Sequence, residues 1–413
     1  MNAPSSLSSL KAALALALLL GLQPVTTDLY LPALPRLAID LHAPMAAVQL
    51  TMSALLLSFG LAQLLMGPLA DRFGRRPVLL GGLGLYAVAS VLAAVAPVIE
   101  ALIAARALQG VGMAASVVCA RAMVRDLYEP HEGAQVMSKA MSGLGLLAIA
   151  SPTLGGLLTQ LGGWRLAMVA VALAGVVVWG FVAWQVPETR RAPAASAPPA
   201  LSIWRSAAQV IAHPTFRAWT ALISATYGGL FVMLAGSSFV YIGPMGLSPW
   251  GYGLAMASAS MAYLLGTFWC RRLLPRHGLT GSVQRGAVFT LAGGLGMLAL
   301  GWLTPGQADV LPWVLVSQWL YSFGHGLHQP CGQAGAVGPF PHRAGVASAL
   351  SGFTLALTAF LVGVWLGQAM DGSLKMLSCG LGFWAVVTST LAWTLVQRHG
   401  NPLAAASSAP SSS

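Results

Sequence analysis

Apolar stretches of about 20 residues recur along the whole chain, and nothing else constrains the fold as strongly. Each is closed by turn residues or a few cations, at approximately 11–32, 48–68, 77–97, 100–122, 137–160, 164–186, 216–242, 251–270, 283–303, 311–333, 344–370 and 374–397. Spread over 413 residues, they leave about 34 residues per segment, room for a membrane-spanning helix and a short loop. Hydrophobic residues make up 57% of the chain and charged ones only 8%, against about 25% charged in soluble domains. The 47 glycines and 25 prolines lie scattered through the apolar runs. A soluble globular enzyme, a disordered chain and a collagen-like fibre are therefore excluded. The expected class is an all-α membrane protein with twelve transmembrane helices.

The net charge of +11 is not a nucleic-acid signature, because the cations come in ones, twos and threes between apolar stretches. Their placement gives orientation instead. Alternate loops carry 17 Lys and Arg on one side against Arg36, Arg165 and Lys375 on the other, so both termini are expected in the cytoplasm. Cys119, Cys270, Cys331 and Cys379 are far apart in apolar sequence and suggest no disulfide framework or zinc motif. The first apolar run carries Asp28 and lacks a small-residue cleavage site, so it reads as a retained helix and not a signal peptide. A Pro-, Ala- and Ser-rich stretch, 187–215, reads as a cytoplasmic linker, with a short amphipathic helix around Ser202–Ala212. It divides the chain into two six-helix bundles, 1–186 and 216–399, followed by a disordered tail, 400–413.

After the second stretch the chain reads Gly67-Pro-Leu-Ala-Asp71-Arg72-Phe-Gly74-Arg75-Arg76-Pro77. Gly67 and Gly74 permit a tight turn, the arginines stay at the membrane face, and Asp71 can meet a helix N-terminus or an arginine. A generic basic loop explains the arginines but not this ordered spacing. The string strongly resembles the signature loop between helices 2 and 3 of the major facilitator superfamily. In the second half, Gly266-Thr-Phe-Trp-Cys270-Arg271-Arg272 puts Cys270 where Asp71 stands. The resemblance thus implies that Asp71 alone forms the acidic latch of a conformational gating loop, with Arg343 at the start of span 11 as its expected partner.

Thr27-Asp28-Leu-Tyr30-Leu-Pro32-Ala-Leu-Pro35, Arg106-Ala-Leu-Gln109-Gly110 with Arg125-Asp126-Leu-Tyr128, and Arg343 to Gly352 resemble the Bcr/CflA-type drug exporters of that superfamily. Ser151-Pro152-Thr-Leu-Gly155-Gly156 resembles the antiporter motif of span 5, with Ser151 in place of the usual glycine. The resemblance implies the major facilitator fold in a multi-pass protein of the bacterial inner membrane, monomeric and without a cofactor. It further implies proton-coupled efflux of small amphipathic drugs such as chloramphenicol- or bicyclomycin-like compounds.

Only Asp28 and Arg106 place a charge at depth in the expected spans, away from their ends. At about 1.5 Å per residue, Asp28 lies about 25 Å from the inner face and Arg106 about 9 Å from the outer face, depths at which they can meet in a core of about 30 Å. A charge at depth costs about 2.5–3.5 kcal/mol on insertion scales, so each needs a partner or a water-filled cavity. Two readings stay open: Asp28 as proton acceptor and substrate contact tuned by Arg106, or Asp28 as a helix-end cap with Arg106 as its static partner. Gln23, Thr26, Tyr30 and Gln109 lie near enough in sequence to hydrogen-bond a substrate. Tyr227 on span 7 and Tyr321 and His325 on span 10 are further cavity candidates, as are Met233, Tyr241 and His328, with helix packing or, for the histidines, end capping as the open alternative. His325, His328 and Cys331 share roughly one helix face, but one helix rarely completes a metal site, so no metal is expected. Gly81-Gly82-Leu-Gly84 and Gly293-Gly294-Leu-Gly296 read as helix-packing faces. No ATP-binding or hydrolase motif is present, so an ion or substrate gradient must supply the energy. The alternatives to drug efflux are a nucleoside or sugar exporter of the same fold, or a membrane-embedded receptor or structural protein.

Overall fold

The computed structural model describes residues 9–189, 200–303 and 310–401. The middle of the expected linker, 190–199, and the expected tail from 402 onward lie outside the described residues. The described chain is helical, without a β-strand among the described residues. In order come α1 (Ser9–Thr27), a 3-10 turn (Leu31–Ala33), α2 (Leu34–Asp40), α3 (Met45–Phe73), α4 (Arg75–Ala94), α5 (Ile99–Leu127) and α6 (Pro130–Gln185). There follow α7 (Ala200–Ala212), α8 (Pro214–Tyr241), α9 (Pro249–Leu303), α10 (Leu311–Val337), a second 3-10 turn (Pro341–Arg343), α11 (Ala344–Ala369), α12 (Leu374–Trp393) and α13 (Leu395–His399).

Nine helices among the described residues are long and apolar enough to cross a membrane. Two of them, α6 with 56 residues and α9 with 55, would each run over about 80 Å if continuous, far beyond a bilayer core of about 30 Å. Each is in fact two helices joined at a kink. In α6 the break is Gly162-Gly163, where Gly163 has φ 72°, a left-handed conformation open to glycine and costly for other residues. In α9 the break is Gly278, φ 63°. Both breaks fall between the stretches that the sequence separates. Helix α10 has 27 residues but stands outside the nine, since Gln318, His325, His328 and Gln329 lower its hydropathy.

The first stretch is not one continuous helix to residue 32. Helix α1 stops at Thr27, the chain turns through Asp28–Tyr30, and the 3-10 turn and α2 follow. Pro32 and Pro35 lack the N–H groups that a continuing helix would donate to Asp28 and Leu31, so the break sits beside the one acid of this stretch.

The chain divides into two compact units, residues 1–197 with 247–257, and 198–246 with 258–413. In the first, α3 and α4 both pack on α5, and α1 packs on α6. A Cβ added to Gly110 of α5 would overlap the Leu55 carbonyl of α3, so these backbones touch, as small residues allow inside a bilayer. In the second unit α8 is buried along most of its length under α10, α11 and α12, around a core that includes Trp219, Leu222, Val283, Leu327 and Val396. Helix α7 rests on this unit through buried Val210, and Arg343 donates to Gln209. Large apolar side chains stand exposed on both units, among them Leu146, Leu161 and Leu303 at 70%, 72% and 78%, which suits lipid and not water.

Candidate functional site

Asp28 lies one residue past α1, half-buried, with its backbone N–H on the Pro24 carbonyl at 2.8 Å. Its carboxylate accepts the Thr27 hydroxyl at 2.7 Å. Gln23 is half-buried one turn earlier, and its carbonyl also accepts from Thr27.

Arg106 of α5 is fully buried, but its partner is not Asp28. The guanidinium donates to Gln109 Oε1 at 2.6 Å and to the Thr26 carbonyl at 3.1 Å, and lies 4.6 Å from the centre of the Tyr30 ring. No ion pair joins Asp28 and Arg106 among the described residues. The reason is the end of α1. A last-turn carbonyl has no intrahelical donor, and a guanidinium in reach satisfies it with a charge-assisted bond. Arg106 thus fastens the helix end beside which Asp28 emerges. Its Nε has no acceptor among the described residues, so one donor stays available.

The cage around Arg106 recruits residues that sequence spacing did not single out. Gln109 Nε2 donates to Ser90 Oγ at 2.7 Å, Tyr86 Oη meets Thr26 Oγ1 at 2.6 Å, and Tyr30 Oη meets Thr51 Oγ1 at 3.0 Å. Tyr86 and Ser90 stand four apart on one face of α4. That spacing of polar groups in an apolar helix was the available signal.

The span 5 motif reaches the same turn. A Cβ on Gly155 would overlap the Leu29 carbonyl, next to Asp28, and one on Gly156 would overlap the Pro249 carbonyl at the start of α9. The carbonyl of Pro152 in turn sits against Gly253. Residues 247–257 belong to the first unit through these contacts.

Within the first unit the gating loop is held by its own ion pairs. Asp71 pairs with Arg75 at 2.5 Å, and Arg75 also pairs with Asp126 at 3.0 Å. Arg343, the expected partner of Asp71, belongs to the second unit, where it donates to Gln209. The i,i+4 spacing of Asp71 and Arg75 puts the nearer cation one turn away, while Gly74 at φ 103° turns the chain between α3 and α4. Glu188 completes the loop by accepting from the backbone N–H of Arg75 at 3.0 Å and Arg76 at 3.1 Å, a remote cap on α4. Arg76 donates to the Val186 and Ala183 carbonyls at the end of α6, and Arg72 covers Phe73. A Cβ on Gly67 would meet nothing within 4 Å, so no packing contact requires that glycine. A groove of about 410 Å³ opens beside Arg76 and Glu188, away from Asp28.

In the second unit, Thr226 of α8 gathers two of the candidates. His325 Nδ1 meets its hydroxyl at 3.0 Å, and Tyr321 Oη donates to its carbonyl at 3.0 Å. Tyr263 lies over His325, ring centres 5.4 Å apart. Tyr227 is half-buried on α8, and Tyr241 donates to Gln318. His328 meets the Val283 carbonyl and Cys331 meets Cys270, so the three residues of the expected helix face have separate partners.

The Major Facilitator Superfamily profile matches residues 16–363. The chain belongs to that superfamily. It is a membrane transporter, not an enzyme. This major facilitator is 30% identical over 399 residues to Multidrug resistance protein D of Escherichia coli, covering 94% of this chain and 98% of the relative. It is 32% identical over 325 residues to the Chloramphenicol resistance protein of Pseudomonas aeruginosa, covering 78% and 75%. In fold it matches the D-xylose-proton symporter, with TM-score 0.74 and 15% identity over 94% of this chain and 99% of that one. The nucleoside transporter NupG matches with TM-score 0.72 at 15% identity, again over 94% and 99%.

Proposed function

We propose that this major facilitator is a drug:proton antiporter of the bacterial inner membrane. It crosses the membrane twelve times with both termini in the cytoplasm, and exports small amphipathic compounds of the chloramphenicol or bicyclomycin kind. Asp28 is the proton carrier. The observation that carries this reading is the broken end of α1, where Asp28 follows Thr26, whose carbonyl Arg106 holds, and precedes Leu29, whose backbone packs on Gly155 of the antiporter motif. A proton and a substrate that compete for one carboxylate are exchanged when the protein alternates its access. The names of the relatives support the same substrate class.

The test is proton movement in proteoliposomes. With purified protein and a lumenal pH dye, a transported compound added on one side must shift the lumenal pH, and a protonophore must abolish the shift. Chloramphenicol and bicyclomycin are the expected active compounds. A response to nucleosides or sugars alone would assign a metabolite exporter instead, and substrate movement with no proton flux would refute antiport.

A further inference from the structure

The position that holds the acidic latch in the first half holds a thiol in the second, and that thiol is not alone. Cys270 Sγ lies 3.3 Å from Cys331 Sγ, and it also approaches the Leu327 carbonyl at 3.9 Å. Both cysteines are about 1% exposed, and both are free thiols. Their contact is built by the helices. Gly266 of α9 sits against the Phe323 backbone, and Gly326 of α10 against the Tyr263 carbonyl. Pro330 donates no N–H, which frees the Gly326 carbonyl, and Thr267 Oγ1 takes it at 3.3 Å. The same hydroxyl donates to the Tyr263 carbonyl at 3.1 Å, and with the two glycine contacts this keeps α9 and α10 close where the sulfurs meet.

No group of three or more His, Cys, Asp or Glu that could hold a metal ion occurs among the described residues. A tetrahedral zinc site therefore lacks its remaining ligands. The ligand must be satisfied by two sulfurs, and its geometry follows from their separation. Two sulfur bonds of about 2.3 Å in line would hold the sulfurs about 4.6 Å apart, whereas the same bonds at about a right angle span about 3.3 Å. The separation of 3.3 Å matches a pyramidal trivalent centre more closely than a linear two-coordinate ion.

We propose that Cys270 and Cys331 form a dithiol binding site for trivalent organoarsenicals. In the reaction with an arylarsine oxide, each S–H gives its proton to the oxygen on arsenic. Two arsenic–sulfur bonds form, the arsenic–oxygen bond breaks, and the oxygen leaves as water. Arsenic stays trivalent, so no oxidant is needed. Phe268 and Trp269, the two residues before Cys270 on α9, are 51% and 46% exposed, so apolar surface borders the helix that carries the thiol. The bridge ties α9 to α10.

The test treats the folded, detergent-purified full chain with phenylarsine oxide and reads intact mass. The expected result is one phenylarsenic group per chain, removed by ethanedithiol but retained in mercaptoethanol. Cys270→Ser and Cys331→Ser should each lose this adduct, while the Cys119→Ser/Cys379→Ser double variant keeps it. Peptide mapping of the wild type makes the test independent of how the serine variants fold, and must find arsenic joining the peptides of Cys270 and Cys331. Arsenic on Cys119 or Cys379, an adduct surviving in either single variant, or uptake only after unfolding would overturn the proposal.

Discussion

Replacing Arg106 by methionine keeps the length of the side chain and removes every polar contact it makes. Two buried acceptors are bared, Gln109 Oε1 and the Thr26 carbonyl, at about 1–3 kcal/mol each. The contact with the Tyr30 ring contributes about 2 kcal/mol more when desolvated. Against these stands relief from burying a cation, several kcal/mol in the opposite sense. The net expectation is a loss of about 2 kcal/mol. Arg106→Lys should lose less, because the charge remains, but a single ammonium lacks the fork that serves both acceptors. The decisive variant is Arg106→Met with Gln109→Leu, which removes one bared acceptor along with its donor. Its loss should fall short of the sum of the two single losses by about 1–2 kcal/mol. Reversible unfolding of the purified protein, followed by tryptophan fluorescence, reads all four corners of the cycle. Strict additivity would refute the coupling of Arg106 to Gln109, and an Arg106→Met variant as stable as wild type would refute the role of Arg106 as the fastener of α1.

Gly110→Ala should destabilise by about 1–3 kcal/mol because its methyl meets the α3 backbone. Gly81→Ala, with nothing within 4 Å, should be neutral or stabilising by up to about 1 kcal/mol, and the same unfolding assay compares them. Glu188→Ala should cost about 1 kcal/mol by uncapping α4, whereas an unchanged melting profile would deny the cap. Asp71→Asn should slow turnover while leaving substrate affinity intact, since Asp71 contacts Arg75 in the loop; equilibrium binding beside a transport rate decides, and a large affinity loss would contradict it.

The helical class was legible because apolar length and turn residues act locally. Even the breaks inside α6 and α9 were marked by interruptions in the apolar pattern. Partner choice was less legible. Depth along a helix put Asp28 and Arg106 at heights where they can meet, but depth carries no information about the unpaired carbonyls at the end of α1, and these claim Arg106. For Asp71 the i,i+4 neighbour Arg75 was close in the sequence itself, yet only the structure shows Arg75 also bridging to Asp126. Glu188 was not foreseen as a cap because the groups that donate to it are backbone N–H groups more than a hundred residues away. The contact of Cys270 with Cys331 was equally hidden, since it depends on the close approach of two helices at Gly266 and Gly326.

The central claim is that Asp28 carries the coupling proton, and Asp28→Asn in proteoliposomes tests it most directly. Asparagine keeps an acceptor oxygen for the Thr27 hydroxyl, so the turn should survive and the variant should fold. Under an imposed pH gradient the variant should fail to accumulate substrate against its concentration gradient, and substrate addition should no longer move protons. Uphill transport by Asp28→Asn at the wild-type rate would show that the proton travels elsewhere, and would contradict the account.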